Sequence, residues 1–380
     1  MNIQSKLPHV GTSIFTVMSA LAREYNAINL SQGFPDFNCD ARLLEHCQKY
    51  MNKGFNQYSP MQGVIELRER VAQIIEECYG NIYSPDTEIT VTAGATQGIY
   101  TAIAAFVREG DEVIVFEPCY DSYVPSIITN GGTPVYCRLN APDFRINWEE
   151  VRSKLTSRTK MILINSPHNP TGTTLSESDL RELENIVKGK DIIVLSDEVY
   201  EHIVFDGHEH QGVARFKSLA DQSFIVSSFG KTVHTTGWKI GYVAARKELM
   251  NEFRKVHQFL VFSVNHPFQL GIAEYLGDKN NYLELKKFYQ AKRDLFLKLT
   301  ASSRFIPVKA AGTYFQLMSY KNISNEHDAD LATRLTKEKK LATVPLSAFY
   351  KDKTDANILR FCFAKKDETL EKAAEIINSL

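Results

Sequence analysis

A lysine, an aspartate, an asparagine and an arginine, each beside or inside a short apolar run, have the most chemistry to offer in this chain. Lys231 stands in Ser227-Ser228-Phe229-Gly230-Lys231-Thr232. Burial readily lowers the pKa of a lysine amine, which can then attack a carbonyl carbon and form a Schiff base. Two plainer readings compete. Gly230-Lys231-Thr232 is also the tail of a phosphate-binding P-loop, but that motif needs a glycine where Ile225 stands. The other is an ordinary surface lysine in a loop, and only its neighbours can decide against that.

Asp197, in Asp197-Glu198-Val199-Tyr200, can pair with a protonated ring nitrogen and keep that ring electron-poor. Tyr200 can donate to a ring hydroxyl, and Tyr120 can stack on a ring face. Gly94-Ala95-Thr96 opens a helix with free backbone N–H groups and a hydroxyl, a setting in which donors and dipole together favour a phosphate. Asn169-Pro170-Thr171-Gly172 is a common turn signal, yet Asn169 there can reach both a cofactor and a substrate carboxylate. In Ile358-Leu359-Arg360-Phe361-Cys362-Phe363 the bulky Leu359, Phe361 and Phe363 share one face, leaving Arg360 on the other. An arginine in so apolar a strand suits a fork for a carboxylate, at roughly 1.5–3 kcal/mol per charge-assisted hydrogen bond. The plain alternatives are core tyrosines, an N-cap aspartate, a small-residue turn and an exposed-face arginine. Taken together, the set suits pyridoxal phosphate.

The elements that must position these groups are legible from about residue 88 to 245. Short apolar runs at 89–92, 112–116, 134–137, 161–165, 192–196, 224–227 and 240–244 alternate with helical stretches. Runs such as Ile192-Ile193-Val194-Leu195 lack alternation, as expected of strands covered on both faces of a mainly parallel sheet. Ser176 is the expected N-cap of a helix over 177–187. In open α/β sheets ligands bind beyond the carboxyl ends of the strands. Gly94, Tyr120, Asn169, Asp197 and Lys231 all fall there, on five separate loops. That convergence decides against a plain surface lysine.

The expected fold is α/β: a seven-stranded, mainly parallel sheet between helices, with a smaller α+β domain. Residues 1–40 read as an N-terminal arm and part of the small domain, 41–275 as the large domain and 276–380 as the small one. Ile14, Val17, Met18 and Leu21 follow helical spacing behind Ser13, so the start reads as an amphipathic helix rather than a signal peptide. Residues 268–300 read as one long helix, 314–318 and 358–363 as strands, and the chain ends in a helix carrying Leu370, Ala373, Ala374 and Ile377.

A formal net charge of -1 over 380 residues gives no electrostatic case for nucleic acid or a membrane surface. No apolar stretch approaches the roughly 20 residues that span a bilayer. Six cysteines without a C-x-x-C pair argue against a zinc cluster and fit reduced thiols in a cytoplasm. No metal is expected.

The chain resembles the class I/II, fold type I, pyridoxal-phosphate-dependent aminotransferases over nearly its whole length. The carrying segments are Asn29-Leu30-Ser31-Gln32-Gly33-Phe34-Pro35-Asp36-Phe37, Gln57-Tyr58-Ser59-Pro60, His168-Asn169-Pro170-Thr171-Gly172, Asp197-Glu198-Val199-Tyr200, Ser227-Ser228-Phe229-Gly230-Lys231 and Leu359-Arg360-Phe361-Cys362-Phe363. Within the family it is most similar to the bacterial methionine aminotransferases and the kynurenine aminotransferase/glutamine transaminase K group. The resemblance implies a Gly33 backbone N–H at the substrate carboxylate, with the N-terminal segment folding over the site. It implies that Tyr58 reaches the phosphate of a neighbouring subunit's cofactor, making a homodimer with shared sites. It also implies phosphate contacts from Ser228 and Lys239, where many relatives carry arginine; lysine keeps the charge and loses the bidentate fork. Residues 258–267 resemble the methionine enzymes, since the kynurenine enzymes usually carry histidine at the Ser263 position.

The activity so implied moves an amino group from an L-amino acid to a 2-oxo acid by a ping-pong mechanism, with Lys231 carrying the proton. Phe15, Tyr58, Tyr120 and Phe262 are the expected walls for an apolar side chain, methionine or aromatic, and no second arginine is placed for a side-chain carboxylate. A carbon–sulfur β-lyase could use the same residues and remains open. A DNA-binding regulator of this lineage carries an N-terminal winged helix, for which the Gly33 motif begins too early.

Overall fold

The computed structural model describes Met1 and residues 3–380. Seven strands form the central sheet: β1 Ile89–Thr92, β2 Glu112–Glu117, β3 Thr133–Arg138, β4 Thr159–Asn165, β5 Ile193–Asp197, β6 Ser223–Ser228 and β7 Gly241–Ala244. Their spatial order is β1-β7-β6-β5-β4-β2-β3, with β7 antiparallel to both neighbours and the β6-to-β3 run parallel. The run 89–92 is a strand with the expected bounds, and the other six are strands whose ends differ by one or two residues.

The sheet is buried on both faces. Ile114, Ile162, Val194 and Ile225 point into one apolar cluster, whereas Val113, Leu163, Leu195 and Val226 point into another. That period of two within continuous apolar runs is the signature of a sheet covered by helices on each side. Helix α1 spans Ile14–Glu24 behind Ser13, whose side chain accepts from the Thr16 N–H. Helix α2, Ala95–Phe106, covers one face of the sheet. Ser176 caps the helix Glu177–Val187 through a full capping box with Asp179.

A second, antiparallel sheet runs Val344–Pro345, Ile358–Cys362, Phe315–Ser319 and Ile306–Pro307 in spatial order. Its apolar cluster includes Leu359, Phe361 and Phe363 together with Leu30 and Met18 from the chain's beginning. Ile28–Asn29 pairs in parallel with Leu341–Ala342, which ties that beginning to the later half.

Two expectations need correction. The long helix expected over 268–300 is broken: His266–Tyr275 ends, Asn280–Leu283 forms a short turn, and Leu285–Leu299 follows. Gly277 and Asp278 sit at the break, where a flexible backbone and a residue that bonds its own chain stop the first helix. In α1, Met18 and Ala22 are buried but Val17 is 45% exposed; the covered side of the helix runs through Phe15, which lines a cavity, rather than through Val17. All six cysteines are free. Among the described residues, no helix is long and apolar enough to cross a membrane.

Candidate active site

Five loops at the carboxyl ends of the central strands, with α1 and the second sheet, enclose a cavity of about 410 Å³. After β1, Gly94 turns with φ +81 and starts α2, so that Ala95 and Thr96 bring helix N–H groups to the cavity. A side chain at Gly94 would be strained at that φ and would press on Lys239, whose Cε and Nζ lie 3.3 Å from a built Cβ. Ser228 and Lys239 line the same end. This cluster of donors and one ammonium is what a phosphate requires.

After β4, Asn165 organises the next two loops. Its Oδ1 accepts from the Asn169 N–H at 2.8 Å, and its Nδ2 donates to the Asp197 carbonyl at 2.9 Å. Asp197, at the end of β5, is 4% exposed. It accepts from Tyr123 Oη at 2.6 Å and from the Val199 N–H at 3.2 Å. Burial pushes its pKa up to about 6, against the pull of those two donors. Tyr120 lies on the wall beside Tyr123, ring centroids 5.6 Å apart, and Tyr200 is buried on another wall.

Lys231 follows β6 and its amine faces the cavity. Burial pulls its pKa down to about 8, so a sizeable neutral fraction exists near neutral pH. Nζ donates to Tyr314 Oη at 2.8 Å and to the Gly33 carbonyl at 3.3 Å. The end of β6 is pinned from behind by Glu201, which accepts from Ser227 Oγ at 2.7 Å, Tyr242 Oη at 2.9 Å and Tyr79 Oη at 2.6 Å.

Arg360 is fully buried. It donates to Asn169 Oδ1 at 2.7 Å and to the Ser31 carbonyl at 2.8 Å, and its guanidinium lies 3.8 Å from the centroid of the Phe315 ring. Its Nε has no partner. Phe15 adds a second aromatic wall, 5.0 Å from the guanidinium carbon. A buried cation with a spare donor on a cavity wall is a ready seat for a carboxylate.

Most of the residues expected from the sequence therefore meet around one cavity; Gly94 only precedes its lining residue Ala95, and two others lie apart from it. Tyr58 is 79% exposed and Phe262 is 53% exposed; their rings pack edge to face at 5.1 Å, away from the cavity. Gly33 does line the cavity, and the group engaged there is its carbonyl. Sequence reasoning missed Tyr123, Tyr314, Phe315 and Gly241. Tyr123 lies three residues past Tyr120 on the same loop and start of helix, a spacing that would have exposed it. Gly241 is forced by a close crossing: a Cβ there would lie 2.5 Å from the Ser227 carbonyl and 3.0 Å from the Ala95 nitrogen. Nothing in the one-dimensional pattern marks Tyr314.

The cavity thus joins an amine of lowered pKa, a buried carboxylate, a helix start with free N–H groups and a buried guanidinium. Among known proteins, the chain is 47% identical over 378 residues to the methionine aminotransferase of Escherichia coli, covering 99% of this chain and 98% of that one. It is 34% identical to a kynurenine–oxoglutarate transaminase of Dictyostelium discoideum, covering 96% and 93%. A crystal structure described as YbdL from Escherichia coli, with a methionine aminotransferase function, superposes with a TM-score of 0.98 at 46% identity over the whole of both chains. The family profile of aminotransferase class I and II matches residues 25–377. On that span and those identities, the chain belongs to the class I and II aminotransferases and is a transaminase of amino acids.

Proposed function

We propose that this transaminase works with pyridoxal 5'-phosphate seated on Lys231, takes an apolar L-amino acid such as methionine as donor, and acts as a homodimer in the cytoplasm. The observation that carries the reading is the pairing of the Lys231 amine and the buried Asp197 carboxylate in one cavity whose far end is the start of α2. The donor set fits the cofactor: Gly94, Ala95, Thr96, Ser228 and Lys239 for the phosphate, Asp197 for the ring nitrogen, Tyr200 for the ring hydroxyl and Tyr120 for the ring face. When bound, the cofactor supplies an aldehyde for the amino group and an electron-withdrawing ring.

The chain's own residues do the rest. Arg360 and Asn169 hold the donor's carboxylate, with the N–H bonds that Arg360 does not spend on Asn169 and Ser31 as the free donors. Lys231, neutral in part near pH 8, takes and returns a proton at Nζ. Asp197, held by Tyr123, would pair with a protonated ring nitrogen, and a positive partner there would bring its pKa back down. The aromatic walls of Phe15, Tyr120 and Phe315 exclude water from the carboxylate seat.

The apolar donor rests on two supports. Arg360 is the one arginine lining the cavity among the described residues, so a side-chain carboxylate finds no fork of its own. The Escherichia coli relative is a methionine aminotransferase. The homodimer rests on the exposed aromatic strip of Tyr58, Phe259 and Phe262, 79%, 88% and 53% exposed, which a second copy would cover. In that assembly Tyr58 and Phe262 complete the neighbour's site. The relatives reported are transaminases, and none supports the lyase reading.

The test is direct. Protein loaded with pyridoxal 5'-phosphate and reduced with borohydride should carry the cofactor's mass on the Lys231 peptide, and methionine added first should abolish the label. Labelling of another lysine, or a donor screen in which aspartate far outruns methionine and the aromatic amino acids, would overturn the reading.

A further inference from the structure

Tyr314 lies just before the strand Phe315–Ser319 and is fully buried. Its hydroxyl donates to the Gly33 carbonyl at 2.6 Å. A phenol has one proton, so with that proton on Gly33 its oxygen meets Lys231 Nζ as an acceptor, at 2.8 Å. Lys231 Nζ reaches the Gly33 carbonyl as well, at 3.3 Å. Amine, phenol and carbonyl thus close a triangle. It joins segments 281 residues apart at the Tyr314–Gly33 edge.

Gly33 has to be a glycine for this triangle to close. A Cβ there would stand 2.6 Å from Phe315 Cζ and 3.3 Å from Tyr314 Cε2. The phenol is boxed by the Tyr200, Tyr289 and Phe315 rings, at centroid distances of 5.1, 5.6 and 5.0 Å. Burial holds it well above the usual tyrosine range, so it stays neutral and keeps its single proton on Gly33.

A neutral lysine amine has two N–H bonds and one lone pair on a tetrahedral nitrogen. The two acceptors stand 2.6 Å apart on one side of Nζ and draw its N–H bonds toward that side, while the chain's own Cε takes another direction. The remaining direction opens on the cavity that Lys231 lines. We infer that Tyr314 and the Gly33 carbonyl form a positioning pair that aims the free Lys231 lone pair at the substrate. The inference rests on reading Lys231 as the cofactor lysine and proton carrier. When the amine takes a proton from a C–H bond in the cavity, the lone pair becomes a third N–H bond. The electron pair of the broken bond stays with the carbon, and both hydrogen bonds to the pair persist. The amine is thereby kept in place through uptake and return of the proton.

Other charged and titratable groups face this amine from every side: Asp197 at the end of β5, Tyr200 from the turn after it, Lys239 ahead of β7, and Arg360 and Cys362 from Ile358–Cys362. All of them are unchanged in Tyr314→Phe, so a difference between variant and parent isolates the hydroxyl.

The experiment has two arms. In cofactor-free protein, competitive acetylation across a pH series, read by mass spectrometry of the Lys231 peptide, reports the amine's titration. Tyr314→Phe should lower its midpoint by about one unit, because the ammonium loses a stronger hydrogen bond than the neutral amine does. In cofactor-loaded protein, the half-reaction with methionine should slow about tenfold or more, with the donor's half-saturating concentration within about twofold of the parent's. Tyr289→Phe is the control: its buried hydroxyl makes no hydrogen bond and should leave both readouts unmoved. A 3-fluorotyrosine at position 314 keeps the shape and weakens the acceptor, so it should give a smaller shift in the same direction. Cofactor trapped on Lys231 with an unmoved titration and rate in Tyr314→Phe and the fluorinated protein overturns this proposal alone. Cofactor trapped on a different lysine overturns the assignment of Lys231 and the proposal with it.

Discussion

Arg360→Lys tests the carboxylate seat in a way the geometry makes quantitative. The guanidinium spends one N–H on Asn169 Oδ1 and one on the Ser31 carbonyl, and leaves Nε unpartnered. An incoming carboxylate can take the guanidinium's uncommitted N–H bonds as a fork. A lysine at this position keeps the charge but offers a single point of contact, so one charge-assisted bond to the carboxylate is lost. That loss is roughly 1.5–3 kcal/mol, or roughly 10- to 150-fold in donor affinity. The Asn169 or Ser31 oxygen left without a donor is unpaired with and without substrate, so its penalty appears in the melting temperature rather than in binding. The assay is a half-reaction titration, following the cofactor's absorbance as methionine is added. The half-saturating concentration should rise by that factor, while the amine lacking the carboxylate, 3-(methylthio)propylamine, should bind parent and variant alike. A variant with unchanged methionine affinity, or a parent that does not discriminate against that amine, refutes the assignment of Arg360.

Two further outcomes are expected. The ordinary aspartate value of 3.8 is raised to about 6 at Asp197, a gap of about 2 units or roughly 3 kcal/mol. A raised folded pKa stabilises the fold fully below about pH 4 and is lost as pH climbs through 6. Cofactor-free Asp197→Asn should therefore melt above the parent at pH 8, with the gap closing near pH 4; a gap that ignores pH would contradict the buried-carboxylate account. Phe259 is 88% exposed in the single chain, so Phe259→Glu should leave the chain folded yet shift sedimentation from dimer to monomer and cut turnover. A fully active variant that still sediments as a dimer would remove Phe259 from the shared interface.

The parts legible from sequence are those governed by short-range periodicity. Continuous apolar runs such as Ile192-Ile193-Val194-Leu195 mark covered strands, and whatever follows each run lies at the sheet's carboxyl edge; that is why Asn169, Asp197 and Lys231 could be placed together. Arg360 was legible because alternation put it opposite Leu359 and Phe361. Helix periodicity served less well, since the apolar stripe continues across Gly277-Asp278 although the helix does not. Partners that meet only through tertiary packing left no local trace. Tyr123 holds Asp197 from 74 residues away, and Tyr314 holds Gly33 across 281. Such hydroxyls look like any core tyrosine until their one proton is followed to its acceptor. Both sit behind a residue that carries charge, and both act through direction: Tyr123 holds one oxygen of Asp197, while the other, bonded only to the more distant Val199 N–H, keeps a lone pair for a ring nitrogen, and Tyr314 draws an N–H of Lys231 toward itself, leaving the lone pair for substrate. The residues that do the chemistry could be recognised by type and place, whereas the residues that aim them are defined by hydrogen-bond direction, which a linear pattern does not encode.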